Sequence, residues 1–120
     1  MAAKDVVGRN GEQLAADYLV SLGLQVVSRN WRCREGELDI VATDGRDLAV
    51  VCEVKTRSGV RFGSGAEAVD AGKRRRIRRL SMLWLAEHRV RKDVTVRFDV
   101  ISVLIEPGTP AKLTHIRSAF

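Results

Sequence analysis

Apolar and polar residues along this chain repeat with two periods, one helical and one that alternates. Over residues 10–22 the apolar positions Ala15, Tyr18, Leu19 and Leu22 recur at helical spacing, which predicts a first helix ended by Gly23. Residues 24–32 are rich in β-branched and aromatic side chains and predict a strand, followed by a turn at Glu35-Gly36. Residues 37–43 alternate and predict a second strand, closed by the hairpin dipeptide Asp44-Gly45. Residues 48–56 predict a third, whose unbroken apolar run Ala49-Val50-Val51-Cys52 suits a strand covered on both faces. The stretch 58–65 holds three glycines and reads as a mobile loop, with a short turn expected at 66–70. A second helix is expected over 72–88 and a fourth strand over 94–105, broken by Glu106-Pro107-Gly108-Thr109-Pro110. Residues 112–117 are expected to add a short edge strand.

The order helix, three strands, helix, strand predicts an α/β fold: a mixed sheet with helices packed on it. Short turns make the first three strands an antiparallel meander, and the crossover helix makes the third and fourth parallel. At 120 residues the chain is read as one domain over 1–120, with a core at about 8–105 and a C-terminal tail at 106–120.

Composition adds a partner class. Lys and Arg number 21 against 15 Asp and Glu, a formal charge of +6, which favours contact with polyanions and with nucleic acid first among them. Cys33 and Cys52 show no ligand spacing and read as two reduced thiols. With neither a signal-peptide pattern nor a long apolar run, the protein is expected to be soluble and cytoplasmic, with no membrane partner.

Candidate chemistry lies on the second and third strands. Side chains alternate across a strand, so Glu37, Asp39 and Val41 share one side, and Val51, Glu53, Lys55 and Arg57 share another. If Asp44-Gly45 joins these strands as a hairpin, Asp39 and Glu53 become cross-strand neighbours. Adjacent acids destabilise a sheet, and a cation between them removes that cost. Mg²⁺ or Mn²⁺ held by Asp39 and Glu53, with Lys55 projecting to the same place to hold a water and meet charge on a phosphate, would suit phosphodiester hydrolysis. The competing reading is a surface salt-bridge pattern on two exposed strands. Glu12 falls at the border of the first helix's buried stripe, from where it could look into a neighbouring site or simply favour the helix dipole. Glu37 is expected to support rather than ligate, and Asp99 to form a structural ion pair with Arg97.

The blocks Gly11-Glu12, Tyr18-Leu19, Asn30-Trp31-Arg32, Gly36-Glu37-Leu38-Asp39, Glu53-Val54-Lys55-Thr56-Arg57, Phe62-Gly63 and Arg97-Phe98-Asp99-Val100 resemble the YraN-like family of small bacterial proteins. The Asp39 and Glu53-Val54-Lys55 pattern also resembles the PD-(D/E)XK nucleases, which include restriction enzymes and Holliday-junction resolvases, although Leu38 stands where that pattern has proline. The resemblance spans roughly residues 8–104. It implies a restriction-endonuclease-like fold, a site of Glu12, Asp39, Glu53 and Lys55, and metal-dependent cleavage of DNA, with branched or recombination-type DNA as the substrate. It also implies a homodimer and no small-molecule cofactor. Alternatives are a nucleic-acid-binding module that keeps the fold without cutting, and an RNA nuclease using the same site.

Residues 73–79 carry six cations in seven positions. On a helical wheel Ile77, Leu80, Ser81, Trp84 and His88 form the core stripe. Lys73 lies on that stripe at the helix start and is placed to approach the site, while Arg75 and Arg79 lie opposite. Nucleic-acid contact is therefore expected from Arg57, Lys73, Arg74, Arg75, Arg78 and Arg79, against the plainer reading of a solvated helix face. Trp31 and Trp84 read as core anchors, and His88 and His115 carry no expected role.

Overall fold

The structure, a computed structural model, describes residues 3–58 and 70–120, with side chains from residue 10 onward. Helix α1 (Ala3–Ser21) is followed by β1 (Gln25–Cys33), β2 (Gly36–Thr43) and β3 (Leu48–Arg57). Helix α2 (Ala71–Glu87), β4 (Thr95–Leu104) and β5 (Lys112–Ile116) complete the chain. The loop expected at 58–65 and the turn expected at 66–70 fall almost wholly on residues 59–69, outside the described residues.

The strands form one mixed sheet in the order β1-β2-β3-β4-β5. The first three are antiparallel, and β3 runs parallel to β4 from Leu48–Thr95 to Arg57–Leu104. The fold is thus the α/β mixed sheet flanked by helices that the periodicity predicted. Local chemistry sets the boundaries. The Asp44 side chain accepts the N–H groups of Arg46, Asp47 and Leu48, and Gly45 takes a left-handed φ of 80°, which closes the β2–β3 hairpin. Asp70 caps α2 by accepting the Lys73 N–H at 2.8 Å.

One helix covers each sheet face. Under α1, Ala15, Ala16 and Leu19 bury Ile40, Ala42, Cys52, Ile101 and Val103. Under α2, Ile77, Leu80 and Trp84 bury Leu38, Val41, Val51, Phe98 and Val100. The alternation of Val51 with Cys52 and of Val100 with Ile101 between the two clusters shows why β3 and β4 read as continuous apolar runs. Helix α1 starts at Ala3, seven residues before the expected onset, and Leu22 is 42% exposed instead of buried. The cause is at the C-terminus: Gly23 turns the chain at φ 88°, and the Leu24 N–H returns to the Leu19 carbonyl, carrying Leu22 off the stripe.

Alternation fails at one point in β1 and β2 together. Arg29 reaches Gln13 on α1, yet Trp31, two residues on, donates to Glu87 on α2. In β2, Ile40 belongs to the α1 cluster, yet Leu38 belongs to the α2 cluster. Both strands turn over between these positions.

Candidate functional site

The site is built where β2 leaves β3. Their paired register runs from Thr43–Ala49 to Ile40–Cys52. One step further along would set Asp39 opposite Glu53. There the ladder is continued by a side chain: Asp39 Oδ2 accepts the Val54 N–H at 2.9 Å. Asp39 therefore sits sideways at the turnover of β2, aimed at β3, and not on a plain strand face with Glu37 and Val41 as alternation predicted.

Glu53, on the α2 side of β3, is only 7% exposed. A carboxylate so buried needs a partner, and Lys73 in the first turn of α2 supplies one at 3.0 Å from Oε1. The inward placement of Lys73 read from the helical wheel is the one observed. Lys55, two residues beyond Glu53, lies close enough to Lys73 for the two amines to share a hydrogen bond when one of them is neutral. Site electrostatics follow from this crowding. Burial, then the charge of Glu53, pushes the Asp39 carboxyl up to about 7, with Glu12 and Glu37 adding to the rise and the Val54 hydrogen bond opposing it. Burial, then the shared hydrogen bond and charge of Lys73, lowers Lys55. Burial also pulls on Lys73, but its hydrogen bond with Lys55 and the Glu53 carboxylate hold it above the ordinary lysine value.

Glu12 is half-buried on α1, near enough for its charge to act on Asp39. Its neighbour fixes that approach: a Cβ on Gly11 would overlap the Thr56 side chain, lying 2.8 Å from Cγ2, so only glycine lets α1 pack this closely on β3. Glu37 turns instead to Arg32 at 3.2 Å. Asp39 and Glu53 offer hard oxygen donors of the kind Mg²⁺ or Mn²⁺ takes. Among the described residues no three of His, Cys, Asp and Glu gather as a ligand set, so an ion held by this pair would complete its shell with water and phosphate oxygens.

The basic residues divide. Arg75 is exposed on α2. Arg79 is tied to Glu35 at 2.6 Å. The Arg78 guanidinium lies 4.7 Å over the Phe98 ring and Arg74 lies 5.6 Å over Phe120. Arg57 is half-buried at the end of β3.

A second polar assembly surrounds Asp99 and is larger than the ion pair expected there. Fully buried Asp99 takes both Arg97 donors at 2.9 Å, as the expected ion pair, and also His115 Nε2 at 2.7 Å and the Ser118 N–H. His115 Nδ1 meets the Tyr18 hydroxyl at 3.0 Å. The network ties β5 to β4 and α1, a role for His115 that spacing within the sequence could not reveal.

Among solved structures, Hjc from Archaeoglobus fulgidus, a Holliday junction resolvase, aligns over 88% of this chain and 74% of its own at 16% identity, with a TM-score of 0.41. In sequence, the UPF0102 protein of Frankia alni is 56% identical over 120 residues, covering 100% of this chain and 98% of the relative. That of Mycolicibacterium gilvum is 57% identical over 111 residues, 92% of this chain and 89% of the relative. That of Nocardia farcinica is 50% identical over 117 residues, 98% and 91% respectively. The model described as "Uncharacterised protein family UPF0102" matches residues 11–103, and with these relatives it establishes that the chain belongs to UPF0102, the YraN family expected from its sequence blocks.

Proposed function

We propose that this protein is a metal-dependent endonuclease that hydrolyses DNA phosphodiester bonds, on branched or recombination-type DNA, at Asp39, Glu53 and Lys55 with Glu12 at the wall. The observation that carries this reading is the crowding of two carboxylates, Asp39 on the Val54 N–H and buried Glu53 against Lys73, just past the last β2–β3 pair and beside Lys55. Burial and the Glu53 charge raise the Asp39 carboxyl to about 7. Such crowding costs stability, and a site evolved to receive Mg²⁺ or Mn²⁺ accounts for it. A bound divalent ion would supply Lewis acidity toward a phosphoryl oxygen and a more acidic water. The protein's own part follows from its residues. Asp39, fixed by Val54, and Glu53, fixed by Lys73, hold their oxygens in place. Lys55 orients the attacking water and meets charge as it builds on phosphate. Arg75 and the α2 face draw in the DNA backbone.

The test is Mn²⁺- and Mg²⁺-dependent cleavage of labelled duplex, single-stranded and four-way-junction DNA. Cleavage by the wild type should fall by about a hundredfold or more in Asp39→Ala and Lys55→Ala, with DNA binding kept. Equal cleavage by all three would remove the proposal.

One observation favours a second reading. Lys73 neutralises Glu53 at 3.0 Å from within the chain itself. A nucleic-acid-binding module that does not cut would need no more. Salt-sensitive binding with no metal-dependent cleavage would select it.

A further inference from the structure

Asn30 has a φ of 51° in the middle of strand β1, where a chain of L-residues is otherwise extended. Only a few per cent of non-glycine residues take this conformation, and Asn is among those that tolerate it best. The β1–β2 pairing explains its place. Arg29 pairs with Ile40 and Trp31 with Leu38, so Asn30 stands opposite Asp39. This is the step at which both strands turn over: Arg29 and Ile40 lie on the α1 side, Trp31 and Leu38 on the α2 side. A single left-handed residue reverses the phase of an alternating strand, and the partner must follow to keep its pairs on either side. The Asn30 side chain is exposed, so its backbone conformation is what matters at this position.

We infer that Asn30 is a positioning residue: its left-handed backbone turns β2 over at Asp39 and so aims that carboxylate sideways at Val54 and the site. In a regular β1–β2 ladder Asp39 would project from one sheet face, away from the β3 backbone. The inference rests on the proposed metal site for its functional meaning but not for its structural content.

The experiment uses the whole chain with Asn30→Gly, which keeps the left-handed conformation, Asn30→Val, which opposes it, and Asn30→Ala as a milder variant should the valine protein fail to fold. The first readout is hydrogen exchange of the Val54 amide, the donor to Asp39, followed by NMR without metal. Exchange should quicken by roughly tenfold in Asn30→Val or Asn30→Ala, as it should in Asp39→Ala, and stay near wild type in Asn30→Gly, while the β3–β4 ladder keeps its protection. The second readout is Mn²⁺ affinity from the free-ion electron paramagnetic resonance signal, expected to weaken in the same order. Unchanged Val54 exchange in Asn30→Val and Asn30→Ala would overturn the inference, as would equal acceleration in Asn30→Gly. A wild type that binds no Mn²⁺ while the exchange pattern holds would sink the metal reading and leave the positioning role standing.

Discussion

Asp39 is costly to the fold as well as central to the site. Its carboxyl is at about 7 in the native protein against 3.8 when unconstrained, so between those values the folded chain binds more protons than the unfolded one. Stability is therefore expected to fall as pH rises from about 4 to about 7, and to level off above. Asp39→Asn should remove this slope and be the more stable protein near pH 8, as urea denaturation across the range would show. Asp99 has the opposite sign. Although burial works against its charge, Arg97, His115 and the Ser118 N–H lower its pKa, so its contribution is present above its unfolded value of 3.8 and is lost as pH falls through the folded one. Legibility at this scale was uneven. The Asp39–Glu53 neighbourhood followed from hairpin register, which the Asp44-Gly45 dipeptide announces. The left-handed Asn30 did not, because asparagine permits that conformation without requiring it, and only the pairing partner reveals what it accomplishes.

Between elements, close approach decides whether Glu12 comes near the acids. Gly11→Val should force α1 away from Thr56, lower the melting temperature by several degrees, and weaken any metal binding that depends on Glu12. Gly11→Ala is the gentler form of the same test by thermal denaturation. The helical period located both helices, but the run of cations on α2 looked uniform in sequence and is not so in the structure. Arg78→Ala should cost about 1 kcal/mol of stability through lost stacking on Phe98. Arg75→Ala should leave the melting temperature unchanged and weaken DNA binding, with a smaller salt slope in a fluorescence titration. A charge run does not say which of its members find aromatic or acidic partners, because those partners arrive from β4, the C-terminal residues and the β1–β2 turn.

For the whole molecule, the mixed sheet was readable because a crossover helix between two strong strands leaves little choice of direction. The edge strand expected over 112–117 is β5, but the network that fastens it was not readable, since it depends on a buried carboxylate reached from elements far apart in sequence. Asp99→Ala, which leaves Arg97 and His115 without their acceptor, should destabilise the chain by roughly 3 kcal/mol and loosen β5 first, visible as selective loss of amide protection over Lys112–Ile116. Among the described residues the sheet also has an open side along β1, nine residues long and a standing invitation to another chain's strand. Its register slips between Val26 and Ser28, and the left-handed residue follows two positions later, so no long straight row of donors and acceptors is offered. The same irregularity that turns a carboxylate toward Val54 thus makes β1 a poor template for a second chain, and a variant with a straightened β1 should self-associate as it loses that geometry, visible as a rise in light scattering.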